Sequence, residues 1–473
     1  MKRILALLLA LFAVCSLAAC GAQNAQGSQN AQGSQNTQST SGTTEAVADP
    51  ENIDFGGHTF TFAIALTSLA GYEVDGYYQN SETIFTALEE RNKKIETLYN
   101  CKIKTEDLMS GVLENDFVTG KSTIDIVCSA GANKNYSRYI DLNTLDIDFT
   151  KDWWLSDFMK ESSFDGTNFY TLCYGSLSAF DYTQVIIYNK SVKSANAALK
   201  DVDLYALVEN GEWTLDKFHE IVKLASTDTD KSGTIEEHNG EIYGLLCDAN
   251  FSVNSFYFGA GGKYAHNNGE ITSAIDETSV ALADKIVALF SDSAASVNSD
   301  SNVITNTMDG KSMFAVDEIY RIRDYAKGFS KRPGIEIGVL PIPKASAGDG
   351  KYISYPEQNM CGISVPKTCT DISRIASFLD VYARHSKETV FPEYKKWLAS
   401  YADGENTEKM LGYVFEAPAA DVAAALSFAN IYKEFSLGVI NGRNPFKNSI
   451  KTFEEVIPKA ANSYREQLNA SKQ

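Results

Sequence analysis

The chain has 473 residues and a formal net charge of −19 at pH 7, which argues against nucleic acid or anionic lipid as a binding partner. This length allows two or three domains, each with a sizeable hydrophobic core. The 24 tyrosines and 25 phenylalanines indicate either stacking on a ring-shaped ligand or ordinary core packing.

The N-terminal residues have the order of an export signal. Two basic residues precede an apolar run at 4–14, and small residues then lead to Cys20, so a secretory signal peptide is predicted over 1–19. The run is too short to span a bilayer, which needs roughly 20 apolar residues. The order Leu-Ala-Ala-Cys resembles the lipobox of bacterial lipoproteins. This resemblance implies that acyl chains such as palmitate modify Cys20 and anchor the chain on the extracytoplasmic face of the cell membrane. Ordinary secretion with cleavage near Ala19 is the alternative.

The next segment, 20–54, is composed mainly of Gln, Asn, Ser, Gly and Thr, and the hexamer Asn-Ala-Gln-Gly-Ser-Gln occurs twice in it. Because this segment has few apolar side chains to bury, we predict a disordered tether. A flexible coil of this length has an end-to-end distance of about 30 Å.

The body of the chain alternates between strand and helix patterns. Apolar residues alternate over 58–66 as in a strand, Ser81 caps a predicted helix, and a second strand is predicted from Cys101. The nearly continuous apolar run at 124–128 is typical of a parallel strand that is buried on both faces. The pattern predicts an α/β fold. Three later segments show helical periodicity: 372–382, 422–435 and 453–468.

Six cysteines follow Cys20 at irregular spacings, and we predict mostly buried free thiols, although disulfides are permitted in an exported protein. They are Cys101, Cys128, Cys173, Cys247, Cys361 and Cys369.

The segment 228–239 is similar to a calcium loop of the EF-hand type. Oxygen-bearing side chains occupy its positions 1, 3, 5 and 9, a carbonyl is available at 7, and a glycine stands at 6. Asn239 replaces the usual glutamate at position 12, with Glu241 as a substitute ligand. The loop predicts one structural calcium ion, and a metal-free turn is the alternative. The predicted ligands are Asp228, Asp230, Ser232, Thr234, Glu236 and Glu241.

Catalytic motifs are not recognisable in the sequence. The five histidines form no metal-ligand spacing, and two Gly-Lys-Ser triplets lack the earlier glycine of a phosphate-binding loop. We therefore predict that the protein is not an enzyme, although a glycosidase pair of carboxylates cannot be recognised from sequence alone.

The order of several short segments resembles the family 1 extracellular solute-binding proteins of ABC importers, whose best-known relative binds maltose. The segments are 87–100, 124–127, 151–154, 165–170, 187–190, 211–216, 309–314 and 338–344. The resemblance implies a two-lobed, periplasmic-binding-protein-like (type II) fold with a ligand cleft. It implies that lobe 1 comprises 55–179 plus 343–400, and lobe 2 comprises 180–342 plus 401–473.

The same resemblance implies ligand contacts at strand ends that face the cleft. They are Tyr72, Tyr77, Tyr78, Ser129, Asn133 and Trp153 or Trp154 on lobe 1, and Asp181, Tyr182, Asn250, Phe251, Asp317, Glu318 and Tyr320 on lobe 2.

The family implies a monomeric receptor that captures a carbohydrate, most simply an oligosaccharide, and delivers it to ABC permease subunits. A non-sugar solute such as a peptide or polyol is the alternative ligand, because a fold does not dictate its ligand. An extracellular glycosidase is the third alternative.

Overall fold

The computed structural model describes residues 53–64, 73–76, 81–129, 136–236, 240–297, 303–327, 336–356 and 360–470. Its strands are β1 (His58–Ile64), β2 (Cys101–Asp107), β3 (Ile126–Ser129), β4 (Gln184–Asn189), β5 (Tyr243–Cys247), β6 (Ala265–Asn267), β7 (Ile271–Ser273), β8 (Ala295–Val297), β9 (Ser312–Glu318), β10 (Ile337–Leu340) and β11 (Gly362–Ser364). Within these ranges, no helix is both long and apolar enough to cross a membrane.

The helices connect and cover these strands. They are α1 (Glu82–Leu98), α2 (Val112–Thr119), α3 (Ser156–Ser162), α4 (Leu177–Asp181), α5 (Lys190–Ala195), α6 (Leu204–Glu209), α7 (Leu215–Ala225), α8 (Ala249–Gly259), α9 (Glu277–Phe290), α10 (Val303–Met308), α11 (Ile322–Lys327), α12 (Ile372–His385), α13 (Phe391–Ala399), α14 (Gly404–Glu416), α15 (Val422–Ala425), α16 (Ile431–Ile440) and α17 (Ile450–Ala470).

The first sheet has the strand order β11-β3-β1-β2, in which β1 is parallel to β2 and β3, and β11 is antiparallel to β3. The predicted strand, helix, strand unit at its start is confirmed. Ser81 is the N-cap of α1, because its hydroxyl accepts a hydrogen bond from the Ile84 amide. All of β3 is buried, as its continuous apolar run predicts.

The second sheet has the order β10-β4-β9-β5-β8. Strand β4 is antiparallel to β9 and β10, whereas β5 is parallel to β8 and β9. Every residue of β4 is buried, and this strand lies inside the sheet with neighbours on both sides.

The chain passes between the two sheets along neighbouring segments. The first segment includes α4 and leads into β4, and the second runs from the end of β10 to the start of β11. They lie side by side, since Thr183 forms an isolated bridge with Pro356 and the Cys361 amide donates to the Ser178 hydroxyl at 3.2 Å. A third passage follows α13, which contacts α1, while the next helix, α14, contacts β10. The residue boundaries given above for the two lobes stay a prediction.

The predicted continuous helix over 422–435 is wrong. Helix α15 ends at Ala425, and Ser427, Ala429 and Asn430 have positive φ angles before α16 begins. A left-handed backbone is unfavourable at an alanine, so the surrounding packing must impose this kink. The apolar residues keep a helical spacing across this kink, so the sequence pattern does not reveal the break between the two helices.

The cysteine prediction is confirmed, since the six described cysteines are free and buried. Aromatic packing dominates the core around β1, where the Phe60 and Phe378 rings stack with centroids 3.7 Å apart.

Candidate functional site

The candidate site lies at one edge of the second sheet. The carboxyl ends of β5 and β9 meet at this edge because these strands are parallel, and β4 begins there because it is antiparallel to β9. Two of the three segments that connect the sheets also reach this edge, one before β4 and one after β10. In α/β sheets, ligands bind at the carboxyl ends of strands where the connections diverge.

Four side chains form a polar and aromatic surface there, which we call the tyrosine patch: Tyr182, Gln184, Glu318 and Tyr320. Gln184 and Glu318 are directly opposite in the antiparallel pair of β4 and β9, so their side chains point to the same face. Tyr182 and Tyr320 lie two residues beyond this pair and outside the strands, Tyr182 at the C-cap of α4 and Tyr320 in a short 3₁₀ turn after β9. Their rings contact each other, with a centroid distance of 6.0 Å and an interplanar angle of 72°.

The two tyrosines of the patch are half-buried, as ligand-binding aromatic residues in a cleft must be. Tyr320 also hydrogen bonds through its hydroxyl to the Glu318 carboxylate, and the Arg321 guanidinium lies 5.0 Å from the Tyr320 ring centroid. These contacts hold the ring in one orientation, which reduces the entropy that would be lost on binding a ligand.

Two neighbouring carboxylates, Glu318 of the patch and Asp317 next to it, are largely buried. Asp317 accepts hydrogen bonds from the Tyr325 hydroxyl at 3.0 Å and pairs with the Arg321 Nε at 3.2 Å. Burial raises the pKa of Asp317 to about 7 and also raises the pKa of Glu318. Arg321 contacts both groups, with its Nε 3.5 Å from a Glu318 oxygen.

Gln184 is the member of the patch that our sequence analysis missed. Its side chain is only 4% exposed, and its Oε1 atom is buried without a hydrogen-bond partner in the described structure. The sequence signal was a polar residue immediately before the apolar run Val185 to Ile187. Only the strand register shows that this residue is directly opposite Glu318.

The other described residues of the predicted set are Asp181, Trp153 with its alternative Trp154, and Ser129. Asp181 is fully buried at the end of α4, where its carboxylate accepts a 2.5 Å hydrogen bond from the Tyr394 hydroxyl. The indole nitrogens of Trp153 and its neighbour Trp154 both donate to Asp380 on α12. Ser129 is buried at the carboxyl end of β3. Their contribution to ligand binding stays a prediction.

The remaining predicted positions lie outside what the structure describes. These are Tyr72, Tyr77, Tyr78, Asn133 and the lipidation site Cys20, together with the side chains of Asn250 and Phe251, whose backbone belongs to α8.

The predicted calcium loop brings three carboxylates together. Oxygen atoms of Asp228, Asp230 and Glu241 lie within 4.8 Å of one another, and in the described ranges no other group of three His, Cys, Asp or Glu residues is as close. The Glu236 amide donates to Glu241 at 2.6 Å, and this and further backbone hydrogen bonds lower the pKa of Glu241. Asp228 accepts from the Gly233 amide at 2.9 Å. Three carboxylate groups with oxygen atoms this close suit a hard divalent cation.

Calcium at this loop stays a prediction, and its effect on stability tests it. We expect millimolar calcium to raise the melting temperature by several degrees relative to chelator, because an ion that binds only the folded state stabilises it. Glu241→Gln should abolish the shift, whereas Glu277→Gln at the start of α9, away from the loop, should preserve it. Equal melting temperatures of the wild type in calcium and in chelator would exclude the ion.

Neither a protein-family model nor a curated protein matches the sequence. Solved structures match in fold. The cyclic α-maltosyl-1,6-maltose binding protein from Arthrobacter globiformis is 14% identical with a TM-score of 0.57, over 86% of this chain and 100% of that one. The sugar-binding protein MalE from Xanthomonas citri is 12% identical with a TM-score of 0.57, over 87% and 99%. A cyclo/maltodextrin-binding protein in complex with maltotetraose is 14% identical with a TM-score of 0.50, over 90% and 99%.

These likenesses show the fold. The chain has the two-lobed α/β fold of these sugar-binding proteins, which confirms the predicted fold class. The resemblance to maltose-binding-type solute-binding proteins is likewise confirmed in fold. The three structures are named as binding proteins.

Proposed function

We propose that this protein is the solute-binding component of an ABC importer and that it captures a carbohydrate at the tyrosine patch. The observation that carries the proposal is the position of the patch. Two tyrosines in ring contact, an amide and a carboxylate lie together at the sheet edge where the chain passes to the other sheet. The solved structures of similar fold are named as binders of maltose-type sugars, which supports a carbohydrate here.

The chemistry of the patch suits an oligosaccharide. A pyranose ring presents an apolar C–H face, which packs on a tyrosine ring, and a rim of hydroxyl groups, which need planar hydrogen-bonding partners. Tyr182 and Tyr320 supply the rings, and Gln184 and Glu318 supply the planar polar groups.

Capture would proceed by closure of the two lobes around the ligand. The segments that connect the sheets run side by side through Thr183 and Pro356, so a rotation at this point would move one sheet relative to the other. A ligand that contacts both lobes only in the closed form shifts the population towards that form. The permease would then recognise the closed receptor, and no bond of the ligand is made or broken.

A thermal-shift screen followed by ligand recovery tests this proposal. The panel contains maltotriose, cellotriose, xylotriose, a polyol and a tripeptide. We expect at least one oligosaccharide to raise the melting temperature, to bind in a one-to-one ratio and to be recovered intact. A shift with only the polyol or the tripeptide would favour the non-sugar alternative, and hydrolysis of the oligosaccharide would identify a glycosidase.

We also propose that Cys20 anchors the receptor by its acyl chains, which would place the folded body close to the membrane and its permease. The signal-like order of the first residues supports this placement. Cys20→Ala should move the protein from the membrane fraction to the soluble fraction without a change in ligand affinity. An unchanged membrane fraction would contradict the anchor.

A further inference from the structure

The tyrosine patch depends on the short helix that precedes it. Tyr182 is the C-cap residue of α4, and its amide donates to the Ser178 carbonyl at 3.0 Å. All five residues of this helix are buried. The helix also contacts the 3₁₀ turn that carries Tyr320. A shift of α4 would therefore move one tyrosine of the patch and disturb the support of the other.

A distant carboxyl group caps α4. The first amides of a helix have no partner inside that helix, and buried amides need another acceptor. Among the described residues, the side chain of the N-cap residue Ser176 makes no capping hydrogen bond, and its hydroxyl accepts from the Cys173 amide. The Ser178 amide donates instead to the Glu73 carboxyl group at 2.8 Å, 105 residues away in the sequence. Glu73 thus supplies an acceptor that the sequence of α4 does not.

Glu73 is itself held by the first helix of the fold. The carbonyl of the next residue, Val74, accepts from the Arg91 guanidinium at 2.6 Å and from the Asn92 amide group at 2.8 Å, and both donors are on α1. The Glu73 side chain is 2% exposed, so bulk water cannot replace its hydrogen bond to α4. Removal of this carboxyl group would leave a buried amide without an acceptor, which is costly.

Further hydrogen bonds fix α4 from outside the helix. The Ser178 hydroxyl accepts from the Cys361 amide at 3.2 Å, which ties α4 to the second connecting segment. At the other end of α4, the Asp181 carboxylate accepts from the Tyr394 hydroxyl of α13. The helix is therefore held at both ends, and Glu73 provides one of the bonds at the end that faces away from Tyr182 in the sequence.

We propose that Glu73 is a positioning residue for ligand binding: by holding the Ser178 amide it fixes α4, and α4 places the Tyr182 ring. This inference rests on the proposed function and deepens it, because it names a group that acts on the site through another residue. A ring that is fixed before binding loses little entropy when the ligand packs on it. Loss of the bond to Glu73 should therefore appear as a loss of affinity.

Calorimetric titration of the full chain at pH 6.5 tests this role, with the tightest-binding of maltotriose, cellotriose and xylotriose as the probe. Glu73→Met keeps the length of the side chain and removes the acceptor, so we expect affinity to fall by about 10-fold. Burial raises the pKa of Glu73 to about 8, so the group is neutral at this pH and glutamine is its closest substitute. Glu73→Gln still accepts from the Ser178 amide and should restore affinity to within about twofold of the wild type.

Two results would contradict the inference and leave the carbohydrate function intact. One is an affinity of Glu73→Met equal to that of the wild type, and the other is an equal loss of affinity in Glu73→Met and Glu73→Gln. If the wild type bound no saccharide of the panel, the proposed function would fail and this inference with it.

A double-mutant cycle separates positioning from general damage to the fold. In a Tyr182→Ala background, Glu73→Met should cause less than about a twofold further loss of affinity, because the ring that Glu73 places is already absent. The same fold loss in both backgrounds would show that Glu73 does not act through Tyr182.

Asp116→Leu is the matched control for the loss of a buried acceptor. Its carboxylate is also buried, and it accepts from the Thr123 and Ile124 amides, outside the tyrosine patch. This variant should lower the melting temperature and leave the affinity unchanged.

If Glu73→Met does not fold, Glu73→Asp retains the carboxyl group and withdraws it by one methylene group. We then expect a loss of affinity of about threefold or more, and an affinity equal to that of the wild type would overturn the proposal.

Discussion

Tyr320→Ala is expected to weaken carbohydrate binding by about 10- to 100-fold, which corresponds to about 1.4 to 2.8 kcal/mol. The substitution removes the half-buried ring that pairs with Tyr182 and accepts the sugar face in the proposed complex. Aromatic anchors at the centre of a site contribute most of its binding energy. Calorimetric titration with the tightest-binding saccharide measures the loss.

Two controls separate this effect from damage to the fold. Tyr320→Phe keeps the ring and removes only the hydroxyl that bonds Glu318, so its loss of affinity should be smaller than that of the alanine variant. The melting temperature of Tyr320→Ala should stay within a few degrees of wild type, because the ring is only half-buried. Equal affinity of the wild type and Tyr320→Ala would remove Tyr320 from the binding site.

Stability should fall as the pH rises from about 5 to 8, and Glu73 should cause a large part of this loss. The Glu73 side chain is 2% exposed, and its carboxylate accepts a 2.8 Å hydrogen bond from the Ser178 amide at α4. Burial raises its pKa from 4.5 to about 8, and Asp181 nearby raises it further, although Arg91 acts in the opposite direction.

The direction of this pH dependence follows from the difference in proton binding between the folded and unfolded states. Between pH 4.5 and about 8 the folded protein holds a proton on Glu73 that the unfolded chain has released. The contribution of Glu73 to the free energy of unfolding is therefore complete below pH 4.5, and it is lost as the pH rises through the pKa of the folded state. For one such group, the free energy of unfolding falls by about 1.4 kcal/mol per pH unit in this range. Urea unfolding at pH 5, 6.5 and 8 measures this slope.

Glu73→Gln should flatten this profile, because a neutral amide has no proton to lose. Asp317 acts in the same direction through its pKa of about 7, so Asp317→Asn should remove a second and separate part of the slope. The two effects are expected to add if the groups titrate independently. A Glu73→Gln protein with the full wild-type pH dependence would show that Glu73 is ionised in the folded state.

Local patterns were sufficient for much of the fold. The alternation in β1, the cap at Ser81 and the apolar run of β3 each predict the element that the structure contains. These signals depend on side chains within a few positions of one another, so they can be read without tertiary information. The break between α15 and α16, with positive φ angles at Ala429 and Asn430, accompanies contacts of the Phe428 ring with the distant rings of Phe164 and Tyr464, which no local pattern reveals.

The candidate site was predicted in part. Tyr182, Asp317, Glu318 and Tyr320 were expected near the cleft by resemblance to a family, and the structure brings them together at one sheet edge. Gln184 was not expected, since a single glutamine before an apolar strand has no distinctive pattern. Its position opposite Glu318 and its unpartnered Oε1 became visible only with the strand register.

The sequence by itself therefore determined the classes of element, the capped helices, the buried thiols and the acidic loop at Asp228, because each depends on composition or short-range spacing. Only the tertiary structure decided which side chains share the tyrosine patch. The pairing of β4 with β9 joins residues that are more than a hundred positions apart, and a shift of one residue in that register would turn Gln184 away from Glu318.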